Sequence, residues 1–244
     1  ANSKFNDLNN SNFLIEWQTN ARHYEKAIEI ADKYFERFEL FLQFIIGRPT
    51  NRFEVGILNY QGWKNLNAYV YDESGTSSKT SENHGAYDKL PIDDIYLKNS
   101  ELGHDYVWDL ACMSDPNGFQ TRIITAIEWL GQAISEMSTQ NSFLKAAISL
   151  EIIFTFNEKT VITPSIMNQI SESVALLLGK DLEQRKTLER EIKDLYGIRS
   201  SIVHAGKKNI DKSMGLKMII LARSVIRELS TNKKLKPIKT IDEL

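Results

Sequence analysis

The feature that most constrains the fold is a series of helix-patterned segments in the second half of the chain, joined by connections of a few residues. In each segment apolar residues recur at spacings of three and four, which is the period of a helix with one buried face. Short connections favour antiparallel neighbours, so the pattern predicts an antiparallel helical bundle. The helices are expected near Phe119–Glu136, Ser142–Phe156, Pro164–Leu178, Leu182–Ala205 and Lys212–Leu229.

Several of these helices have chemically marked ends. Thr163 followed by Pro164 is typical of a cap and a first helical turn, and Asp181 can cap the next helix. Gly179 and Gly206 follow the last residues of two helices, where glycine readily adopts the closing conformation. The ends therefore support the same set of helices as the apolar spacing.

The first half of the chain is less uniform. A long helix is expected over Asn20–Ile46, followed by two candidate strands, one with alternating Phe53, Val55 and Ile57 and one at Ala68–Tyr71. The turn-forming stretch Gln61–Lys64 separates the two strands and predicts a β-hairpin. The predicted fold class is therefore mainly α and α+β overall, with the C-terminal bundle preceded by a long helix and a small β-hairpin region.

A cluster of turn residues at Ser114–Gly118 gives the best domain boundary, just after a short helix expected around Leu102–Met113. The predicted organisation is a helix and hairpin region at 1–116, a helical bundle at 117–232 and a basic, flexible tail at 233–244. The first region is a candidate for sensing or regulation, or a remnant of a larger domain.

Cysteine usage and hydropathy suggest an environment. A single cysteine, Cys112, excludes an intramolecular disulfide framework, and the apolar runs are too short to cross a bilayer. We therefore expect a cytoplasmic protein that does not use a membrane. His23, His84 and His104 are scattered without metal-ligand spacing, and the glycine motifs of nucleotide-binding loops are missing from the sequence, so no metal and no cofactor are expected.

An arginine interrupts the apolar stripe of the helix at 182–205. Arg199 follows Leu195 by four residues, where the pattern calls for a hydrophobe, and burying a guanidinium there is costly unless a negative group meets it. His204 lies five residues later, and imidazole exchanges protons near neutral pH. This Arg-x4-His pair indicates chemistry more than packing.

Together with two upstream blocks, Arg122–Ala133 and Phe143–Phe154, the segment around Tyr196–Gly206 resembles the HEPN superfamily. Within that superfamily it is most similar to the Apea-like HEPN family, and the resemblance covers roughly the second half of the chain. It implies a helical bundle whose ribonuclease members carry an Arg-x4-6-His motif.

The resemblance also implies a reaction and site residues. HEPN ribonucleases cleave RNA without metal, through attack of the RNA 2′-hydroxyl on the adjacent phosphorus, and leave a 2′,3′-cyclic phosphate. His204 would be the general acid or base and Arg199 would position the phosphate and stabilise its transition-state charge. Ser200 and Glu151 would support them. The expected function is an endoribonuclease acting on tRNA or single-stranded RNA, in prokaryotic phage defence or toxin-like growth arrest.

The charge distribution adds candidate RNA contacts. Between Arg199 and Lys239 eleven basic residues face two acidic ones, whereas the whole chain has a net charge of −2. Lys207, Lys208 and Lys212 are the basic residues nearest the motif, and we expect them to contact the phosphate backbone. The alternative is a solvated helix face followed by a lysine-rich tail.

Helix geometry bears on the assembly. Residues five apart on a helix point about 140° away from each other, so Arg199 and His204 are not neighbours on a regular helix. A second chain could complete the site, and HEPN proteins commonly dimerise; we therefore predict a homodimer. In the alternatives, Arg199 is a structural partner of Glu151, His204 interacts with its helix end, and the protein is a non-catalytic HEPN scaffold for dimerisation or RNA binding.

Overall fold

A computed structural model of the chain describes residues 19–49, 66–71, 77–82, 94–155, 166–206 and 210–244. The bundle consists of α4 (Gly118–Ser135), α5 (Thr139–Phe154), α6 (Ile166–Leu178), α7 (Leu182–Ala205) and α8 (Lys212–Thr231). Before it come α1 (Tyr24–Ile46), α2 (Asp94–Leu97) and α3 (His104–Cys112), and a short 3-10 turn covers Ile241–Glu243. The predicted helical bundle is confirmed, and the bounds of α7 agree with the prediction at both ends.

The predicted α+β class is wrong. Within the described residues the packed body is made of helices, and its buried hydrophobic side chains come from α1 and α3–α8, with Ile238 added after α8. The backbone of β1 (Leu66–Tyr71) pairs antiparallel with β2 (Ser77–Glu82), but this short ladder is not a sheet layer of the fold. The packed body that the structure describes is therefore all-helical.

The antiparallel ladder that the structure describes is not the predicted hairpin. The segment Ala68–Tyr71 pairs with downstream residues, Ala68 opposite Thr80 and Tyr71 opposite Ser77. The predicted partner around Phe53–Ile57 and the predicted turn Gln61–Lys64 lie outside the described residues. The sequence misled because β2, with sequence SSKTSE, lacks the alternating apolar residues by which a strand is usually found.

The chain divides into two compact units, residues 1–37 and 38–244. The described part of the first unit contains the N-terminal half of α1, with an exposed ion pair between Lys26 and Glu29 at 2.9 Å. In the second unit, Phe41 and Phe44 of α1 and Leu110 of α3 belong to the same buried core as the bundle. The separate roles suggested for residues 1–116 and 117–232 stay a prediction.

The segment after α8, predicted to be a basic, flexible tail, packs on the bundle. Ile238 is buried, and Leu235 and Ile241 pack partly buried against the core. The carbonyl oxygen of Lys239 accepts a hydrogen bond of 3.0 Å from the Phe119 N–H in the first turn of α4. Apolar residues spaced three apart anchor the segment, despite the lysines between them.

Helices α4 and α5 pack in opposite directions. The Ser142 hydroxyl donates to the Ala133 carbonyl at 2.6 Å. Seven residues later in α5, the Ser149 hydroxyl donates at 2.8 Å to the Ala126 carbonyl, which lies seven residues earlier in α4. Both serines are buried, so these two bonds satisfy hydroxyl groups that would otherwise be costly in the core.

Helix α1 crosses α4 closely at Gly131. A Cβ at this position would lie 3.0 Å from both the Leu40 Cα and carbonyl carbon, and nearer still to the Leu40 carbonyl oxygen. Gly131→Ala is expected to lower the free energy of unfolding by about 1–3 kcal/mol, because backbone atoms must move apart. The measurement is urea unfolding. The control is Gly197→Ala in α7, where a Cβ would meet no atom of the described residues within 4 Å. The better helix propensity of alanine should raise the free energy of unfolding by about 0.5–1 kcal/mol at this position. Equal effects at the two positions would contradict the close crossing.

Candidate active site

Arg199 and His204 lie in the last two turns of α7. The Asp181 carboxylate caps the start of this helix by accepting a hydrogen bond of 2.8 Å from the Gln184 N–H. Gly206 ends the helix in the left-handed conformation with φ of 63°, and its N–H bonds the Ser201 carbonyl. Both predicted helix ends are confirmed, so Arg199 and His204 lie on one continuous helix.

Tyr196 sets the position of α7 against α5. It is buried, and its hydroxyl donates a hydrogen bond of 3.2 Å to the Ala147 carbonyl on α5. Burial raises the pKa of Tyr196 well above its ordinary value, and the nearby Glu151 carboxylate raises it further. Tyr196 therefore stays a neutral donor, and its role is packing and register.

One turn further along both helices, Arg199 meets Glu151. The Arg199 Nη2 donates to Glu151 Oε2 at 3.2 Å, and the Arg199 Nε lies 3.0 Å from Glu151 Oε1. The Nε contact is an ion pair and not a hydrogen bond. Glu151 Oε1 is buried, and among the described residues it has no hydrogen-bond partner. A carboxylate on α5 thus explains how an arginine fits within the apolar stripe of α7.

The pair is only partly shielded from water. The side chains of Arg199 and Glu151 are 29% and 17% exposed. Burial raises the pKa of Glu151, and the neighbouring Arg199 opposes this change. Glu151 is therefore the more deeply buried member of the pair, and part of the Arg199 side chain reaches solvent beside it.

His204 and Ser200 lie elsewhere on α7. Both side chains are exposed, with His204 in the last turn of the helix. Because α7 is continuous, Arg199 and His204 point about 140° apart around its axis. Within one chain, the contacts of the described residues bring Arg199 to Glu151 and do not bring His204 to either.

Of the three predicted RNA-binding lysines, one lies within the described residues. Lys212 is exposed in the first turn of α8, whereas Lys207 and Lys208 lie outside the described residues. Farther along the basic stretch, Arg223 bonds the carbonyls of Phe44 and Gly47 at 2.9 and 2.8 Å. The Lys236 ammonium lies 5.1 Å from the centre of the Tyr106 ring. Several of the basic residues thus serve the fold, so the net charge of this stretch overstates its basic surface.

Sequence reasoning missed a buried histidine at the junction of α2 and α3. The Nδ1 atom of His104 lies 2.9 Å from the Tyr96 carbonyl, and because a carbonyl can only accept, Nδ1 carries the hydrogen. Burial lowers the pKa of His104, and Arg227 and Arg223 on α8 lower it further, while Asp105 and the bond to Tyr96 oppose them.

Among the described residues, no group of three or more His, Cys, Asp or Glu side chains is placed to hold a metal.

His104 predicts acid sensitivity. Its pKa is lower in the folded state, so the unfolded chain binds protons more readily. We expect the stability contributed by neutral His104 to be present above about pH 6.5 and lost as the pH falls from there through the lower, folded-state pKa. His104→Asn, whose amide can still donate to the Tyr96 carbonyl, should remove this loss. Urea unfolding of the wild type and the variant between pH 8 and pH 5 tests this prediction. If the variant lost as much free energy of unfolding as the wild type over this range, the assignment to His104 would be contradicted.

Comparison with protein-family models, curated proteins and solved structures finds no match to this chain. None of the helices that the structure describes is both long and apolar enough to cross a membrane. The similarity to the Apea-like HEPN family therefore stays a prediction, based on Arg122–Ala133, Phe143–Phe154 and the Tyr196–Gly206 segment.

Proposed function

We propose that the chain is a metal-independent endoribonuclease of the Apea-like HEPN type, with Arg199 and His204 as its catalytic residues. The observation that carries the proposal is the environment of Arg199, whose guanidinium nitrogens lie 3.0–3.2 Å from the Glu151 carboxylate while the Arg199 side chain remains partly exposed. An exposed His204 follows on the same helix. Phosphodiester transesterification requires an oriented cation and a proton-transferring group at one site.

The chemistry balances without a cofactor. A general base takes the proton of the RNA 2′-hydroxyl, whose oxygen forms a bond to the adjacent phosphorus, and the bond from phosphorus to the 5′-oxygen breaks. A general acid gives a proton to that leaving oxygen, so the products are a 2′,3′-cyclic phosphate and a 5′-hydroxyl. His204 is assigned the proton transfer, and Arg199 is assigned the charge that develops on the phosphate oxygens.

We propose a homodimer in which two copies of α7 contribute to one site. The support is the direction of the two side chains, about 140° apart on a continuous helix, which leaves His204 far from a phosphate bound at Arg199 of the same chain. A two-fold axis can bring His204 of one copy towards Arg199 of the other. Ser200, exposed beside Arg199, is assigned a supporting contact to the phosphate.

The proposed substrate is tRNA or single-stranded RNA. Lys212 is exposed just after the motif helix, and the sequence adds Lys207 and Lys208 in the connection between α7 and α8. Positive charge at this position attracts the phosphate backbone without reading sequence, and such binding weakens as salt rises.

A non-catalytic HEPN scaffold for dimerisation or RNA binding is the second candidate. The ion pair between Arg199 and Glu151 favours it, because a structural arginine in an apolar stripe needs such a carboxylate. The exposure of His204 and the partial exposure of Arg199 favour the nuclease, because both side chains are accessible from solvent.

A growth experiment tests the proposal in the expected setting of phage defence or growth arrest. Expression of the wild-type chain in a bacterial host should arrest growth, and Arg199→Ala or His204→Ala should relieve the arrest at equal protein levels. The matched control is Arg190→Ala, an exposed arginine on the same helix, which should stay toxic. Equal toxicity of all four chains would overturn the assignment of the site.

A further inference from the structure

The contact between Arg199 and Glu151 uses one side of the guanidinium group. A guanidinium has five N–H donors in a planar fork. The Glu151 carboxylate lies against the edge formed by Nε and Nη2, at 3.0 and 3.2 Å. The second edge, formed by Nη1 and the other hydrogen of Nη2, is not used in this contact.

This second edge suits a phosphate group. Two non-bridging phosphate oxygens match two parallel N–H groups of an arginine, and the resulting pair of bonds fixes the phosphate in orientation as well as position. The Arg199 side chain is 29% exposed and that of Glu151 only 17%, so the arginine is the more accessible member of the pair. A lysine, with one ammonium group, offers no second edge.

We propose that Glu151 is a positioning residue that holds the Nε and Nη2 edge of Arg199, so that the Nη1 and Nη2 edge binds the scissile phosphate. This inference rests on the proposed ribonuclease function and deepens it. Tyr196 supports the arrangement, because its bond to Ala147 fixes α7 against α5 one turn before the pair.

The opposite arrangement makes a different prediction. If Glu151 and the phosphate competed for the same edge of Arg199, removal of the carboxylate would free the arginine and raise RNA affinity or the cleavage rate. If the ion pair served only the fold, removal of its charge would change stability and leave the catalytic constants unaltered. Removal of the Glu151 carboxylate therefore lowers activity if it positions Arg199, raises activity if it competes with the phosphate, and leaves activity unchanged if it serves only the fold.

The test measures kcat and KM on a labelled single-stranded RNA for the wild type and Glu151→Gln. The matched control is Glu136→Gln, which removes the carboxylate of the Lys145–Glu136 ion pair, with a separation of 2.7 Å and side-chain exposures of 29% and 19%. We expect Glu151→Gln to lower kcat about 10- to 100-fold with a change in KM below about 3-fold, because a misplaced group costs rate more than binding. Glu136→Gln should keep wild-type constants.

A double-mutant cycle separates positioning from folding. In an Arg199→Lys background the second edge is gone, so adding Glu151→Gln should cause no further loss of kcat. If Glu151→Gln does not fold, Glu151→Asp takes its place and should show a smaller loss in kcat. Unchanged or increased activity of the folded Glu151 variant would overturn the inference. If Arg199→Ala itself cleaved at the wild-type rate, the proposed function would fail instead.

Discussion

Arg199→Ala and His204→Ala are each expected to lower the RNA cleavage rate at least about 100-fold. Removing one preorganised donor to transition-state charge costs about 10²–10³ in rate, and removing a general acid or base costs about 10²–10⁴. Arg190→Ala should keep the wild-type rate, because Arg190 is exposed earlier on α7, away from the motif. Single-turnover cleavage of labelled RNA measures all three rates. A wild-type rate in either site variant would contradict its role.

The two site variants should differ in stability. Arg199→Ala leaves the partly buried Glu151 carboxylate without its cation, and we expect a loss of about 1–2 kcal/mol after allowing for partial exposure. His204 is exposed in the last turn of α7, so His204→Ala should change the free energy of unfolding by less than about 0.5 kcal/mol. Loss of activity in a His204 variant of wild-type stability would separate chemistry from folding.

Arg223→Met is expected to lower the free energy of unfolding by about 2–4 kcal/mol. Its guanidinium donates to the carbonyls of Phe44 and Gly47 at 2.9 and 2.8 Å, at the C-terminal end of α1. Both carbonyl-bearing residues are buried, so water does not readily replace the lost donor, and each unsatisfied acceptor costs about 1–3 kcal/mol. Burial lowers the pKa of Arg223, because the charged guanidinium is largely removed from water.

Arg227→Met is the matched control for this prediction. Arg227 lies one turn further along α8, is exposed and makes a longer bond of 3.3 Å to the Glu101 carbonyl. Its loss should change stability by less than about 0.5 kcal/mol. Urea unfolding of both variants gives the comparison, and equal effects would show that Arg223 does not hold the end of α1 in place.

The helical bundle could be predicted because its signals are local. Asp181 and Gly206 mark the two ends of α7, and the apolar spacing between them fixes its buried face. The pairing of Arg199 with Glu151 could also be anticipated, since a buried arginine requires a carboxylate and Glu151 lies amid apolar neighbours. These inferences need only the residue pattern and the cost of an unpaired charge.

The errors concern interactions between distant parts of the chain. Arg223 looked like part of a basic surface, and only the approach of α1, about 180 residues earlier, shows its role in the fold. The partner that the structure describes for Ala68–Tyr71 was not predicted, because β2 is polar and strand pairing has no local signature without alternating apolar residues. Ile238 was assigned to a flexible tail because the neighbouring lysines outweigh one hydrophobe in composition, although that hydrophobe is buried.

The most direct test of the proposed ribonuclease is the cleavage of end-labelled tRNA and single-stranded RNA by the purified protein in EDTA, followed by analysis of the product ends. The account predicts cleavage without divalent metal, fragments that end in a 2′,3′-cyclic phosphate and a 5′-hydroxyl, and loss of these fragments in Arg199→Ala and His204→Ala. Cleavage that requires a divalent metal, or products with 5′-phosphate ends, would contradict it.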